Sequence, residues 1–580
     1  DTVQASILAC MKLAIQCRAR LFFLLGFALL AGCAGESGIP SSRISTGIAS
    51  SDDADATTRA LRSRIDTIVV IYAENRAFDS LYGNFPGAHG LSDVMDRDGR
   101  PLPAYVPQVD RNGSVLATLP RTWGGVTAAG VKPVVTEAQS AGLPNAPFSI
   151  EGAFTPQSNA TLSTATITRD LVHRFFEHQM QIDGGKNDAY AAWSDAGGLA
   201  LGHYDYSQSA LFSLAKEFVL ADNFFQGAFG GSFLNHQYLI CACAPVYLDA
   251  QTTAAKPSIA MLEKDAAGHF LPRLKLADDA VPSALDGPPK FVRNGNLTPA
   301  NYFGDGKFHA VNTMQPAYQP SGNKPAAGDA DTLYADPDNP TTLPPQNQAT
   351  VGDALDAKRI DWVWYSGSWD AALADGRRSP RERREAIYAP EAPGGNPDFQ
   401  PHHQPFNYYE RFDPRARAAE RAAHLKDYNA LIADAGAGRL PPVVFYKPQG
   451  NVNQHPGYAS VAEGDAHIAD VIAKLRAGPQ WPHMVIVITY DEFGGAWDHV
   501  PPPHGDLLGP GARIPALIIS PFAKRGTVDH TQYDTGSILR LITRRFDLDA
   551  LPGITARDQA LAAHGAPPMG DLTNSLELRR

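Results

Sequence analysis

The stretch IDTIVVIYAEN runs from Ile65 to Asn75. Thr67 to Tyr72 are apolar or β-branched without polar alternation, the pattern of a strand buried on both faces. The run then stops on an acid and an amide, Glu74-Asn75. A second run, HMVIVITY (His483–Tyr490), stops in the same way on Asp491-Glu492. RIPALIIS (Arg513–Ser520), LPPVVFY (Leu440–Tyr446) and IDWVWY (Ile360–Tyr365) are three further strand candidates. Between them, SALFSLAKEF sets Leu211, Leu214, Ala215 and Phe218 on one helical stripe. AERAAHLKDYNALIADAG and VAEGDAHIADVIAKLRAG are also helical in pattern, each with Gly near its end. Helices alternating with buried strands predict an α/β sandwich around a mainly parallel sheet. Residues 272–348, with PSALDGPPK and DPDNPTTLPP, break the rhythm and are expected to form a loop-rich insertion.

The first residues belong to another category. After Met11 come Lys12, Arg18 and Arg20, then LFFLLGFALLAGC ending at Cys33. A basic start and an apolar run too short to span a membrane comfortably predict an export signal over residues 1–33. LLAGC resembles the lipobox of bacterial lipoproteins, so Cys33 is expected to carry lipid, placing the protein in the periplasm or on the outer membrane. Residues 34–60 are rich in Ser, Thr, Gly and Asp and read as a flexible tether, leaving 61–570 as a single catalytic domain. The formal charge of −11 excludes a nucleic-acid binder with a broad basic footprint. It leaves room for phosphorylated ligands, because a local site can be positive inside an acidic protein. Beyond the leader stand only Cys241 and Cys243, in CAC. They are expected to be small residues facing one side of a buried element, a bond across one residue closing a small ring.

In open α/β sheets, ligands bind beyond the carboxyl ends of the strands. Glu74, Asn75, Asp491 and Glu492 all fall there. Buried carboxylates are costly without partners, so their convergence predicts a bound cation. Oxygen donors favour hard divalent ions, and zinc accepts carboxylates too, which leaves Ca, Mg, Mn or Zn open. Histidines supply a second population: His173, His178, His402, His403, His455, His499 and His504. His173 and His178 sit on one expected helix, about 140° apart around its axis, so only one of them should face a site.

AFGGSFLNH (Ala228–His236) presents Ser232 after two glycines. It fails the G-x-S-x-G elbow of acyl-transfer hydrolases, because Leu234 replaces the last glycine. Together IVVIYAENRAFDSLYG, GGKND, LADNFFQGAFGGSFLNH, HHQPFNYY, TYDEFGGAWDHVPPP and VDHTQYDTGSILRLI resemble a bacterial phosphoesterase family. That family comprises acid phosphatase A and the non-haemolytic-type phospholipases C, within the alkaline-phosphatase-like superfamily, and the likeness runs from about Ile65 to Asp558. SFLNH is similar to the acid phosphatase branch.

The resemblance implies an alkaline-phosphatase-like fold with Ser232 as nucleophile and metal contact. It implies Glu74, Asn75, Asp491 and Glu492 as ligands of one divalent metal ion. His173, His402, His403 and His455 would line a phosphate pocket, with Asn235 and His236 as substrate-binding groups beside the nucleophile. A pocket of cationic imidazoles would give an acid optimum. The implied activity is an exported acid phosphatase; the alternatives are a phospholipase C acting on lipid head groups and a non-catalytic binding lipoprotein. The expected partners are phosphorylated small molecules or phospholipid head groups, with membrane contact through the lipid anchor alone.

Overall fold

A computed structural model describes residues 51–378, 382–388 and 399–579. The export signal, Cys33 and the first part of the tether lie outside the described residues. Eight strands make the central sheet: β1 (Thr67–Ala73), β2 (Val219–Ala221), β3 (Trp362–Ser366), β4 (Leu425–Asp427), β5 (Val443–Lys447), β6 (Met484–Tyr490), β7 (Ala516–Ile519) and β8 (Thr527–Asp529). Their spatial order is β4-β3-β5-β1-β6-β7-β2-β8. β7 runs antiparallel to both neighbours, and every other adjacent pair is parallel. Every residue of β1 and β6 is buried, so helices and loops cover both faces. Each core Ile or Val on these strands contributes roughly 1.5–3 kcal/mol by burial, which holds the sheet while its ends carry buried charge.

All five expected strands are present, and the sheet is mainly parallel. β2, β4 and β8 have only three residues each, too short for a periodic signal. β4 divides the expected helix over AERAAHLKDYNALIADAG into Ala418–His424 and Tyr428–Gly436. The tether expectation fails over its last part, because Ser51–Arg64 form a helix (α1). Its acidic start and basic last turn suit the helix dipole. Arg544 fastens it, donating to Thr58 Oγ1 at 2.9 Å and to the Ala54 carbonyl at 2.7 Å. Residues 272–348 are loop-rich with short paired strands. Cys241 and Cys243 form a disulfide, so their expected role as unpaired small residues is corrected. Cys241 ends the helix Ser232–Cys241 (α2), and Ala242, in the left-handed region, turns the chain back for the bond.

A buried ion cluster braces the loops around this sheet. Arg513 binds Asp498 through Nε at 3.0 Å and Asp79 through Nη2 at 3.1 Å. Its Nη1 donates to the carbonyls of His89 at 2.7 Å and Asp222 at 2.8 Å. His499 closes the group, its Nδ1 2.6 Å from Asp79 Oδ2. Asp498 and His499, members of the DHVPPP stretch, therefore serve as framework. Arg513→Met removes the guanidinium and leaves two buried carboxylates, Asp79 and Asp498, with His499 as their one remaining cationic partner in this cluster. The expected loss is about 3–5 kcal/mol, to be measured as a lower urea midpoint against wild type.

Candidate active site and metal centre

Register carries the strand ends into one place. Ala73 of β1 pairs with Tyr490 of β6, so Glu74 and Asp491 leave adjacent parallel strands side by side. Asn75 adopts a left-handed backbone (φ 58°), a conformation that Asn tolerates better than most residues and that recurs at functional sites. Its N–H donates to Asp491 Oδ1 at 3.1 Å. Gly494 follows Glu492 with φ +65°, and a Cβ there would stand 2.3 Å from the Asn75 carbonyl. Only glycine lets these two strand ends close together.

Ser232 is the first residue of α2, where backbone N–H groups and the helix dipole favour an anion. Its Oγ lies 3.3 Å from Asn75 Oδ1 and 3.5 Å from Glu492 Oε1. The glycines before it serve close approach: Gly230 has φ +82°, and a Cβ there would meet Phe175 N at 2.5 Å. Gln226 straps this loop to the metal-side strand. Its Nε2 donates to the carbonyls of Ala228 and Gly230, while its Oε1 accepts from Phe493 N–H at 2.9 Å. Arg557 donates to the Gly227 carbonyl and is itself fixed by Asp534 and Asp506.

A cavity of about 640 Å³ opens above Ser232, with His173, His402, His455, Arg169, Arg174 and Asn312 among its walls. Asn312 brings the 272–348 insertion to the cavity, which sequence alone did not foresee. His173 precedes its helix, which begins at Phe175, so it does not share a helical face with His178. Its Nε2 lies 3.5 Å from Asn75 Nδ2 and 3.7 Å from Glu492 Oε1. His455 Nε2 takes the Asn75 amide at 2.9 Å. These contacts set buried Asn75 and Glu492 directly beneath Ser232, His173 and His455, which line the cavity.

Three expected pocket residues lie behind this lining and are absent from the cavity wall among the described residues. Asn235 and His236 stand three and four residues after Ser232, one helical turn deeper into the core. Asn235 spends its amide on the loop, accepting from Ala228 N–H and donating to the Gly231 carbonyl. His236 Nδ1 donates to the Ser232 carbonyl at 2.7 Å. His403 stacks on His236 with centroids 5.3 Å apart and sets Nε2 2.6 Å from Glu74 Oε1. Asn235, His236 and His403 thus contact the loop, the Ser232 backbone and Glu74 from behind, away from the cavity in which they were expected.

Lys447, the last residue of β5, was missed. Its buried Nζ lies 2.6 Å from Glu74 Oε1 and 3.9 Å from Asp491 Oδ2. The strand-end rule that singled out Glu74 and Asp491 would have found it. Burial raises the Glu74 carboxyl, but Lys447 and His403 more than offset that and hold it well below its ordinary range. Burial and the nearby Glu74 push Asp491 up to about 7. Burial also raises Glu492 well above its ordinary value, against the opposing pull of His173. Burial lowers His173, yet Glu492 and Asp170 outweigh it and raise the imidazole to about 9. His402 and His455 are held down by burial, and His403 falls to about 4 for the same reason. The expected set of several cationic imidazoles thus reduces to His173.

The donors fit a cation. Glu74 Oε2, Asp491 Oδ2 and His236 Nε2 are buried with no hydrogen bond of acceptable geometry, while Glu74 Oε1 is paired with Lys447 and His403. Ligand atoms of Glu74, His236 and His403 lie within 4.8 Å of one another. A cation would replace the protons that burial favours on Asp491 and Glu492, and their carboxylates would then balance its charge.

The fold is an α/β sandwich with a candidate active site beyond the carboxyl ends of its central strands. The chain belongs to the Phosphoesterase family, whose profile matches residues 65–549. Non-specific phospholipase C1 of Arabidopsis thaliana is 34% identical over 120 residues, 17% of this chain and 22% of that protein. Phospholipase C B of Mycobacterium tuberculosis is 28% identical over 194 residues, 29% of this chain and 36% of that protein. The chain thus matches well under half the length of these relatives. A crystal structure of an alkaline phosphatase superfamily protein from Vibrio parahaemolyticus aligns with 61% of this chain and 64% of that chain. Its identity is 9% and its TM-score 0.27.

Two outcomes are expected of this geometry. A cation must displace the protons that burial favours on Asp491 and Glu492, so Mn²⁺ affinity should rise with pH and fall by about tenfold or more per unit below about 7. Titration calorimetry in buffers of different ionisation enthalpy checks both the slope and the proton release. The second concerns His178, whose ring stacks flat on Phe493 at 3.7 Å while Nδ1 accepts from Gly230 N–H at 3.0 Å. His178→Phe keeps the stacking and loses the acceptor, and should lower kcat about tenfold with KM little changed. His178→Asn, which can accept the same hydrogen, should recover part of the rate.

Proposed function

We propose that the protein is an exported phosphomonoesterase with Ser232 as nucleophile, held outside the cell membrane through lipid on Cys33. The observation that carries this reading is the Ser232 hydroxyl at a helix N-terminus, between Asn75 and Glu492, on the floor of a cavity walled by histidines and arginines.

Glu74, Asn75, Asp491 and Glu492 would hold one divalent ion, which stabilises a serine alkoxide and screens phosphoryl oxygens when bound. Ser232 Oγ forms a bond to phosphorus as the bond to the alcohol oxygen breaks. The serine proton would pass to Glu492 Oε1, the near carboxylate oxygen, once cation binding has displaced the proton that burial favours there. His173, the imidazole held charged, gives its proton to the departing alcohol. Water then cleaves the phosphoserine, surrendering a proton to His173, and Glu492 returns the first proton to Ser232. Inorganic phosphate leaves and the site is restored. With only His173 held charged, the histidines do not by themselves impose an acid optimum.

A second reading, phospholipase C, is favoured by the names of the relatives above. SFLNH and its likeness to the acid phosphatase branch support the monoester. Ser232→Ala should cut phosphate release from para-nitrophenyl phosphate about a thousandfold or more; retained activity removes the nucleophile and the mechanism together. A preference of about tenfold for phosphatidylcholine over that monoester, in kcat/KM, would make phospholipase C the better description.

A further inference from the structure

The rule that assembles the catalytic centre operates a second time at the other edge of the sheet. β2 and β8 are parallel neighbours, with Ala221 paired to Asp529, so Asp222 and His530 leave adjacent strand ends as Glu74 and Asp491 do. β7 and β2 follow β6 in the sheet, which sets this place roughly 10–15 Å across the sheet from the catalytic strands.

Asp222 is fully buried, and both carboxylate oxygens face His530 Nδ1, at 2.9 and 2.8 Å. His89, from the loop after the helix Phe78–Tyr82, donates its backbone N–H to Asp222 Oδ2 at 2.8 Å. Arg513 binds the carbonyls of both His89 and Asp222, so these two backbones are fixed relative to each other. The rings of His89 and His530 stand 4.9 Å apart at 59°. One ligand atom each from His89, Asp222 and His530 lies within 4.8 Å of the other two. Asp93 Oδ2, 3.4 Å from His89 Nδ1, is an outer carboxylate of the kind that orients a ligand imidazole and leaves Nε2 to an ion.

From this geometry we infer that His89, Asp222 and His530 form a second metal site, separate from the catalytic centre, for a borderline divalent transition ion. Two imidazoles and one carboxylate select zinc, nickel, cobalt or copper over calcium or magnesium. Around a tetrahedral ion with bonds of roughly 2.0–2.2 Å, ligand atoms stand about 3.3 Å apart. The Asp222–His530 contact opens slightly to reach that spacing, and the His89 ring closes. Binding through His530 Nδ1 breaks its hydrogen bond to Asp222, and the neutral ring carries its proton on Nε2 instead. The two histidine side chains are 62% and 51% exposed, which gives the ion an entry path, while buried Asp222 supplies the fixed anion. The ion would clasp the loop carrying His89 to the β2 and β8 ends, adding stability without touching substrate.

The test uses the full chain, stripped with chelator and dialysed against Zn²⁺ near neutral pH, beside H89Q and H530Q. Both changes fall on exposed side chains, and matching circular dichroism and melting in chelator verifies the fold. Each variant should carry one equivalent of zinc fewer than wild type and lose part of the rise in Tm that Zn²⁺ produces. Hydrolysis of para-nitrophenyl phosphate with the catalytic ion supplied should stay at the wild-type rate. Equal zinc content in all three proteins overturns the site. So does loss of zinc accompanied by loss of hydrolysis, because the missing ion would then belong to the catalytic centre.

Discussion

Glu74, Asp491 and Glu492 are buried together at the ends of two neighbouring strands, and the rest of the site answers to that placement. Carboxylates removed from water repel one another and lose hydration, so each needs a partner or a proton. Lys447 and His403 keep Glu74 ionised, whereas Asp491 and Glu492 are pushed toward their protonated forms. Only the apolar strands make such a cluster tolerable, because their burial fixes the sheet whatever the charge state at its edge. Glu74 Oε2, Asp491 Oδ2 and His236 Nε2, buried without a hydrogen bond, have the composition of a site completed by a cation.

Two layers follow from the same burial. The outer one, Ser232 with His173, His402 and His455, faces the cavity. The inner one, Asn235, His236, His403 and Lys447, faces the outer layer and the carboxylates. Depth separates their chemistry. His173 borders the cavity beside Glu492 and Asp170 and is held charged, while His403 one layer down is held neutral. Adjacent histidines in the sequence, His402 and His403, thus fall in different layers with rings nearly perpendicular, at 89°.

The parts of this arrangement legible in the sequence are those with a long-range repeat or an abrupt end. Unbroken apolar runs identified β1 and β6, and their sudden passage to acid residues marked the edge where the site lies. Short elements carry no such repeat: β2, β4 and β8 are held by neighbours rather than by their own pattern. The α1 helix is polar throughout most of its length and depends on Arg544 for its place, so its sequence reads as a linker. Lys447 was readable by the strand-end rule, but a lone lysine after VVFY draws no attention beside paired acids. The protonation of the histidines was not readable at all, since it depends on burial that only the tertiary structure sets.

The GG-S stretch serves a different geometry from the one its glycines first suggest. In an acyl-transfer elbow, the flanking glycines relieve a sharp strand-to-helix turn. In this chain Ser232 likewise opens a helix, but Gly230 is required by the passing Phe175 backbone, and the turn is held from outside by Gln226, His178 and Arg557. Leu234 is fully buried where an elbow would need glycine. The oxyanion partners of an esterase are replaced by Asn75, Glu492 and His173, groups suited to holding a cation and a charged acid around a serine. Under the proposed function, that exchange suits attack on phosphorus, whose transition state spreads charge over several oxygens, better than attack on a carbonyl, which concentrates it on one.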